Sequence, residues 1–138
     1  MPAKIGKAGE ILAEALTYAA RNGRIEAMAL LFERGADIDA EPYNGRALHW
    51  AVARRQPDAA AWLLDHGADI NRRAGFGGTR GVTPLHVAAA WEGSPDCARL
   101  LVERGADVTV EDALQDSTPA GWAKFFNNSA IAEMISRA

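Results

Sequence analysis

The apolar and polar positions of the chain follow one pattern three times. A cluster of three apolar and two polar residues precedes the tripeptide Gly-Ala-Asp and one further apolar residue, at residues 30–38, 62–70 and 100–108. Glycine directly after such a cluster is a common end for a helix, because it adopts the left-handed conformation without the steric penalty of a Cβ atom. The pattern predicts three helices that end in the same way, and therefore an internal repeat.

A second signal marks the starts of other helices. Thr83-Pro84-Leu85-His86 is matched loosely by residues 46–49 and, more distantly, by residues 118–121. A threonine oxygen at such a position accepts hydrogen bonds from the free N–H groups of the first helical turn, and proline fits the first turn because it lacks an N–H. The repeated unit is therefore a helix, a turn, a second helix and a loop.

This unit resembles the ankyrin repeat. Residues 83–88 match the family signature Thr-Pro-Leu-His-x-Ala, and the family's period is about 33 residues. Gly35 and Gly67 lie 32 residues apart, and Gly67 and Gly105 lie 38 residues apart. These departures fall in loops and at the end of one helix, where insertions cost little. The resemblance implies an all-α ankyrin repeat solenoid of stacked helix-turn-helix units with hairpin-like loops.

We interpret residues 1–138 as a single ankyrin repeat domain. Its four repeats occupy about residues 10–40, 41–73, 74–111 and 112–138. The first and last repeats match the signature poorly, as expected of terminal repeats that have water and not a neighbour on one side. We therefore expect the two central repeats to follow the family pattern most closely.

Superposing the repeats predicts columns of core side chains that run through the stack. Three columns are predicted, namely Leu16, Leu48, Leu85 and Ala120; Leu30, Trp62, Leu100 and Met134; and Ala27, Ala59, Cys97 and Ile131. The chain has 29 alanines, which favour helices and allow close packing between repeats. We interpret Cys97 as a small buried hydrophobe and not as a reactive thiol. We also expect Trp50 and Trp122, which follow the histidine position, to be largely buried.

Charge and composition narrow the class of partner. The chain has 15 basic and 18 acidic residues and a formal charge of -3, so the attraction that dominates nucleic-acid binding is missing overall. We therefore expect neither a nucleic-acid partner nor a membrane partner. A single cysteine favours a reducing compartment, and no apolar run has the character of a signal peptide or a transmembrane helix. We expect a cytoplasmic protein that is a monomer.

No catalytic motif is present, and the histidines have a simpler interpretation. His49 and His86 occupy the same repeat position, where the resemblance implies a structural role together with Thr83 and Pro84. No third ligand recurs beside the histidines, so we predict no metal site. The glycine-rich residues 75–79 lack the Lys-Ser or Lys-Thr pair of a phosphate-binding loop. We predict no enzyme activity and no cofactor, and the alternative hypothesis is a hydrolase that uses His49, His86 and Asp residues across repeats.

The resemblance implies a non-catalytic module that binds a protein partner through its loop tips and the surface of its first helices. The tips are acidic, basic and acidic in turn along the chain, a pattern that selects a partner of complementary charge. The candidate contact residues are Tyr43, Arg72, Arg73, Phe76, Arg80, Trp91, Glu92 and Asp112. The alternative function is a regulatory or inhibitory subunit of one specific enzyme.

Overall fold

The computed structural model describes residues 7–42, 44–90 and 93–138. This part of the chain forms eight helices and one two-stranded sheet, in the order α1 (Lys7–Arg21), α2 (Ile25–Glu33), α3 (Ala47–Ala53), α4 (Pro57–Asp65), β1 (Ala74–Phe76), β2 (Thr79–Val82), α5 (Pro84–Ala89), α6 (Pro95–Glu103), α7 (Pro119–Phe125) and α8 (Ser129–Ser136). Within these residues, no helix has both the length and the apolar character needed to span a membrane.

The helices pair in sequence order and the pairs stack in two layers. The first helices α1, α3, α5 and α7 contact one another along the stack, as do the second helices α2, α4, α6 and α8. This is the predicted all-α solenoid of helix-turn-helix units. Helix α1 begins at Lys7, three residues before the expected start of the first repeat, so the first unit is longer at its N-terminal end.

The helix boundaries follow from the residues identified in the sequence. The side-chain oxygens of Thr83 and Thr118 accept hydrogen bonds from backbone N–H groups three residues later, at 3.4 and 3.2 Å, and a proline follows each threonine. The glycines after α2, α4 and α6 have φ angles of +97°, +100° and +86°. These left-handed conformations confirm the predicted helix ends, because residues with a Cβ atom adopt them only with strain.

The core is a set of columns, one of which differs from its prediction. In the other two predicted columns, Ala27 and Ala120 are half-buried, and the remaining residues are buried as expected: Leu16, Leu48, Leu85, Ala59, Cys97 and Ile131. In the predicted column of Leu30, Trp62, Leu100 and Met134, however, Leu30 is 50% exposed and the others are half-buried. The buried column lies one residue later and contains Leu63, Leu101 and Ile135. Both positions are apolar in all four repeats, so hydrophobicity alone did not indicate which one faces inwards.

The longest loop of the chain folds into a β-hairpin. Strands β1 and β2 pair antiparallel, with Ala74 opposite Val82 and Phe76 opposite Thr79, and an irregularity lies between these pairs. The N–H of Ala113 donates to the carbonyl oxygen of Arg80 at 2.8 Å, which ties the hairpin to the loop of the fourth repeat. The hairpin gives the third repeat a wall that stands beside the layer of first helices.

Candidate functional site

The first helices place one repeat position on the same surface of the stack. This position follows the signature histidine and is occupied by Tyr18, Trp50, Val87 and Trp122. Tyr18 is 64% exposed, whereas Trp50 and Trp122 are half-buried. The expectation that both tryptophans are largely buried is therefore only partly correct, since each keeps part of its surface accessible. Trp50 donates its indole N–H to the carbonyl oxygen of Asn44 at 2.8 Å.

Three of these side chains, together with Phe76 and Phe125, form a line of aromatic residues along the stack that we call the aromatic row: Tyr18, Trp50, Phe76, Trp122 and Phe125. The guanidinium carbon of Arg21 lies 4.9 Å from the centre of the Trp50 ring and 5.8 Å from that of Tyr18. The ring of Phe76 meets Trp50 edge to face, with their centres 4.8 Å apart. The hairpin is thereby packed onto the second repeat, and Phe76 is half-buried.

The aromatic row is interrupted at the third repeat, where small side chains replace large ones. Val87 stands at the position that holds tryptophan in repeats two and four, and Ala90 follows three residues later. The space left between Phe76 and Trp122 is a pocket of about 440 Å³. Leu114 and Phe125 also line this pocket and are 49% and 81% exposed, so it is an open groove and not an enclosed cavity. We call it the third-repeat groove.

His49 and His86 are fully buried beneath this surface and connect consecutive repeats. The Nε2–H of His49 donates to the carbonyl oxygen of Val82 at 2.9 Å, and that of His86 donates to the carbonyl oxygen of Ser117 at the same distance. Each Nδ1 accepts from a backbone N–H of its own repeat, at Arg46 (3.3 Å) and Thr83 (3.1 Å). Each ring thus bridges the start of its own first helix and the loop before the next one.

Burial keeps both rings uncharged. It lowers the pKa of His49 to about 4, despite the opposing effect of the bond to Val82, and it lowers the pKa of His86 in the same way. Rings that are buried, neutral and bonded to backbone on both nitrogens cannot reach a substrate. This geometry contradicts the alternative hypothesis of a hydrolase built on these histidines.

Among the candidate contact residues that the structure describes, Asp112 is the one that is fully buried. Its side chain is only 1% exposed. The carboxylate accepts hydrogen bonds from the backbone N–H groups of Gln115 and Ser117, both at 2.9 Å, and from the indole N–H of Trp122 at 3.1 Å. Burial opposes ionisation, but these donors together outweigh it and lower the pKa of Asp112 to about 2. The prediction that Asp112 contacts a partner is therefore wrong, because its role is to close the fourth-repeat loop.

The three arginines proposed for the second loop tip are exposed and have different surroundings. Arg72 forms a loose ion pair with Asp69 at 4.0 Å. Arg73 donates to the carbonyl oxygens of Gly81 and Glu111, both at 3.2 Å, and so supports the hairpin from outside. Arg80 lies on β2 beside the groove-lining Thr79, and its side chain is exposed.

Three other candidate contact residues, Tyr43, Trp91 and Glu92, lie outside the described residues. Sequence reasoning missed two aromatic residues that the structure exposes, Tyr18 and Phe125. The signal that could have found Tyr18 is its repeat position, since it aligns with Trp50 and Trp122. Phe125, near the end of α7, is 81% exposed.

Comparison with known proteins places this architecture in a family. Models described as "Ankyrin repeats (3 copies)" and "Ankyrin repeats (many copies)" match residues 7–74 and 48–102. The chain belongs to the ankyrin repeat family. It is 37% identical over 107 residues to ankyrin repeat and SOCS box protein 6 of Mus musculus, and 36% identical over 104 residues to ankyrin repeat and SOCS box protein 16 of Homo sapiens. It is also 34% identical over 122 residues to an ankyrin repeat-containing protein of Treponema pallidum.

These matches cover most of the chain but a small part of each relative. The two mammalian matches span 75% of this chain and 24% and 22% of the relatives, and the Treponema match spans 87% and 39%. The chain therefore spans about a quarter of the length of the mammalian ankyrin repeat relatives. Ankyrin repeats are protein-interaction modules, and the family is generally non-enzymatic. The likeness to the relatives concerns this repeat region alone.

Proposed function

We propose that this ankyrin repeat stack binds a protein partner through the surface of its first helices and the adjoining loop tips, and that it has no catalytic activity of its own. The observation that carries the proposal is the aromatic row. Large aromatic side chains are costly to leave in water, and exposed clusters of them on a folded protein mark interaction surfaces. Tyr18 and Phe125 remain 64% and 81% exposed in the folded stack.

The distribution of exposed apolar residues supports the choice of this surface. Five large apolar side chains are strongly exposed in the described part of the chain, namely Ile11, Tyr18, Leu30, Leu114 and Phe125. Four of them belong to the first helices or to the fourth-repeat loop that lines the groove, and only Leu30 belongs to the second helices. Binding at the aromatic row would therefore remove most of the exposed large apolar groups from water.

The loop tips add charge to the same surface. Arg72 and Arg80 are exposed beside the hairpin, and Glu111 and Asp116 are exposed on the following loop. Charged residues at the rim of an interface influence the rate of association and the register of the partner more than the affinity. We expect these tips to select and orient the partner, while the aromatic row supplies most of the binding energy.

Affinity capture with matched variants tests this function. The intact chain, the double variant Tyr18→Ser/Phe125→Ser and the control Leu30→Ser are immobilised, and proteins retained from the source cells are identified by mass spectrometry. We expect a partner that the intact chain and the control retain and the double variant loses, with unchanged melting temperatures because all three side chains are exposed. Equal retention by all three baits would show that the aromatic row is not the binding surface, and no retained protein would count against the function itself.

The same capture addresses the alternative of a regulatory or inhibitory subunit. That alternative requires a single stoichiometric partner that is an enzyme, and its activity should change when the ankyrin repeat chain is added. A partner without enzymatic activity, or an enzyme whose rate is unaffected, would exclude it. The proposed cytoplasmic location and the monomeric state remain predictions, which cell fractionation and analytical ultracentrifugation would test.

A further inference from the structure

The third-repeat groove has the form of a subsite for an extended chain. Its floor is formed by Val87 and Ala90, and its two walls are Phe76 from the hairpin and Trp122 from α7. Pockets for small molecules bury most of the ligand surface. This groove is instead open along its lip, where Phe125 is mostly exposed. Such an opening allows one large apolar side chain to enter while the backbone that carries it continues along the surface.

The helices around the groove differ in charge from the rest of the molecule. The chain as a whole has a formal charge of -3, yet α3, α5 and α7 contain no aspartate or glutamate. Lys124 on α7 and Arg54, the residue that ends α3, are both exposed. The loop tips carry charges of both signs, because exposed arginines occur there together with the exposed Glu111 and Asp116. The charge at α3, α5 and α7 is therefore positive, whereas α1 in the first repeat carries the exposed Glu10 and Glu14 as well as Lys7 and Arg21.

The last turn of α1 adds one further positive charge, Arg21, next to Trp50. Its guanidinium group is held over the rings of Trp50 and Tyr18, and no ion pair to a carboxylate is formed by Arg21 within the residues that the structure describes. A guanidinium group stacked on an aromatic face keeps the N–H donors at its edge, in the plane suited to a carboxylate. The arrangement therefore presents an oriented cation that has no carboxylate partner in the described part of the chain.

We propose that the first-helix surface binds an extended segment of the partner that carries acidic residues at one end and a leucine or aromatic anchor at the other. The anchor enters the third-repeat groove between Phe76 and Trp122, and the carboxylates pair with Arg21 and Arg54. The two parts lie at opposite ends of the segment because the arginines belong to the first two repeats and the groove to the last two. This inference rests on the proposed function and adds the chemistry of the partner.

Selection from random peptides tests this chemistry without knowledge of the partner. A phage library of random peptides of about 12 residues, long enough in extended form to span several repeats, is selected on the immobilised intact chain. We expect enrichment of peptides with acidic residues and one large apolar residue separated along the sequence. The affinity of the most enriched peptide, synthesised with a fluorescent label, is then measured by fluorescence polarisation for the intact chain and its variants.

Two variants with matched controls locate the peptide on the surface. Phe125→Ser removes the aromatic ring at the lip of the groove, and Arg54→Glu reverses a charge directly after α3; we expect each to weaken binding about tenfold, the second more strongly at low salt. Leu30→Ser and Arg34→Glu make the same changes at exposed positions of α2 and at its C-terminal end. We expect both controls to bind within about twofold of the intact chain, as is usual for residues outside an interface.

Several outcomes would overturn the inference. The selection would contradict it if no peptide is enriched, or if the enriched peptides lack acidic or large apolar residues. The affinity measurements would contradict it if Phe125→Ser or Arg54→Glu leaves the affinity unchanged. Concentration-dependent dimerisation that Phe125→Ser abolishes would show that a second copy of the chain occupies the groove. The proposed function survives these results if affinity capture still retains a partner, and it fails separately if nothing is retained.

Discussion

Each buried histidine joins two repeats only while its ring is neutral. Nδ1 of His49 must accept a hydrogen bond from the N–H of Arg46, so a second proton on the ring would break that bond and leave a charge in the core. Arg46 and His86 also lower the pKa of His49 and so disfavour its protonated form. The burial and hydrogen bonds that let each neutral ring connect two repeats therefore also make the stability of the fold sensitive to acid.

We expect the free energy of unfolding to fall as the pH falls from 7 to 5. The pKa of His49 is 6.5 in the unfolded chain and about 4 in the folded protein. Between these two values the unfolded chain binds a proton at His49 that the folded protein does not bind. Protonation of His49 in the unfolded chain should lower the free energy of unfolding by about 2 kcal/mol between pH 7 and pH 5. His86 acts in the same direction. Urea unfolding followed by circular dichroism at a series of pH values measures the slope, which His49→Gln should reduce. A midpoint near pH 6.5 in an NMR titration of His49 in the folded protein would contradict the prediction.

Asp112 shows why a charged residue could not be assigned a role from its sequence position. Its bonds to Gln115 and Ser117 are local, and a turn of this kind is within reach of sequence reasoning. The contacts that bury it are not local, because Trp122 lies ten residues away and Thr79 lies 33 residues away. An acidic residue at a loop tip therefore looked like a partner contact, although the hairpin and α7 enclose it.

At the scale of elements, the sequence predicted the helices better than the surfaces they present. Helix ends could be predicted because capping threonines and terminal glycines act locally, and the structure has them where expected. The inward face of the second helices could not be predicted. Adjacent leucines such as Leu100 and Leu101 are equally apolar, and only packing against the neighbouring repeat decides which of them is buried. The third-repeat groove was not predicted for a related reason. It results from small side chains in one repeat between large ones in its neighbours.

The packing of the hairpin on the second repeat gives a testable consequence at this scale. We expect Gly45→Ala to destabilise the fold by about 2 to 4 kcal/mol, because the new Cβ atom strains a φ of +82° and would lie 3.0 Å from Cε1 of Phe76. Gly67→Ala is the matched control, since its φ is +100° and the space around it is empty, so it should cost only about 1 to 2 kcal/mol. Urea unfolding measures both. The excess cost of Gly45→Ala should disappear in a Phe76→Ala background; persistence of the full excess there would refute contact with Phe76 as its cause.

At the scale of the whole molecule, stability depends on contacts between neighbouring repeats. The helix pairs with extensive contact belong to the same repeat or to adjacent ones, and each buried histidine bonds to a backbone group of the next repeat, just before the first helix of that repeat. Such a stack behaves as a chain of units coupled to nearest neighbours. With only four units, the loss of one interface leaves too little buried surface for the remainder to stay folded by itself.

We therefore expect Leu85→Ala to destabilise all four repeats together. Leu85 is fully buried in α5 between neighbouring repeats, and its truncation should cost about 2 to 5 kcal/mol, while thermal and urea unfolding remain single transitions. Leu30→Ala is the control, because Leu30 is 50% exposed and its truncation should cost less than about 1 kcal/mol. Circular dichroism reports helix content, and fluorescence reports the tryptophans in repeats two, three and four, so the two signals should change together. Separate transitions for the two signals would show that the halves of the stack unfold independently. An equal loss of free energy of unfolding in Leu85→Ala and Leu30→Ala would mean that the second-helix layer is packed differently.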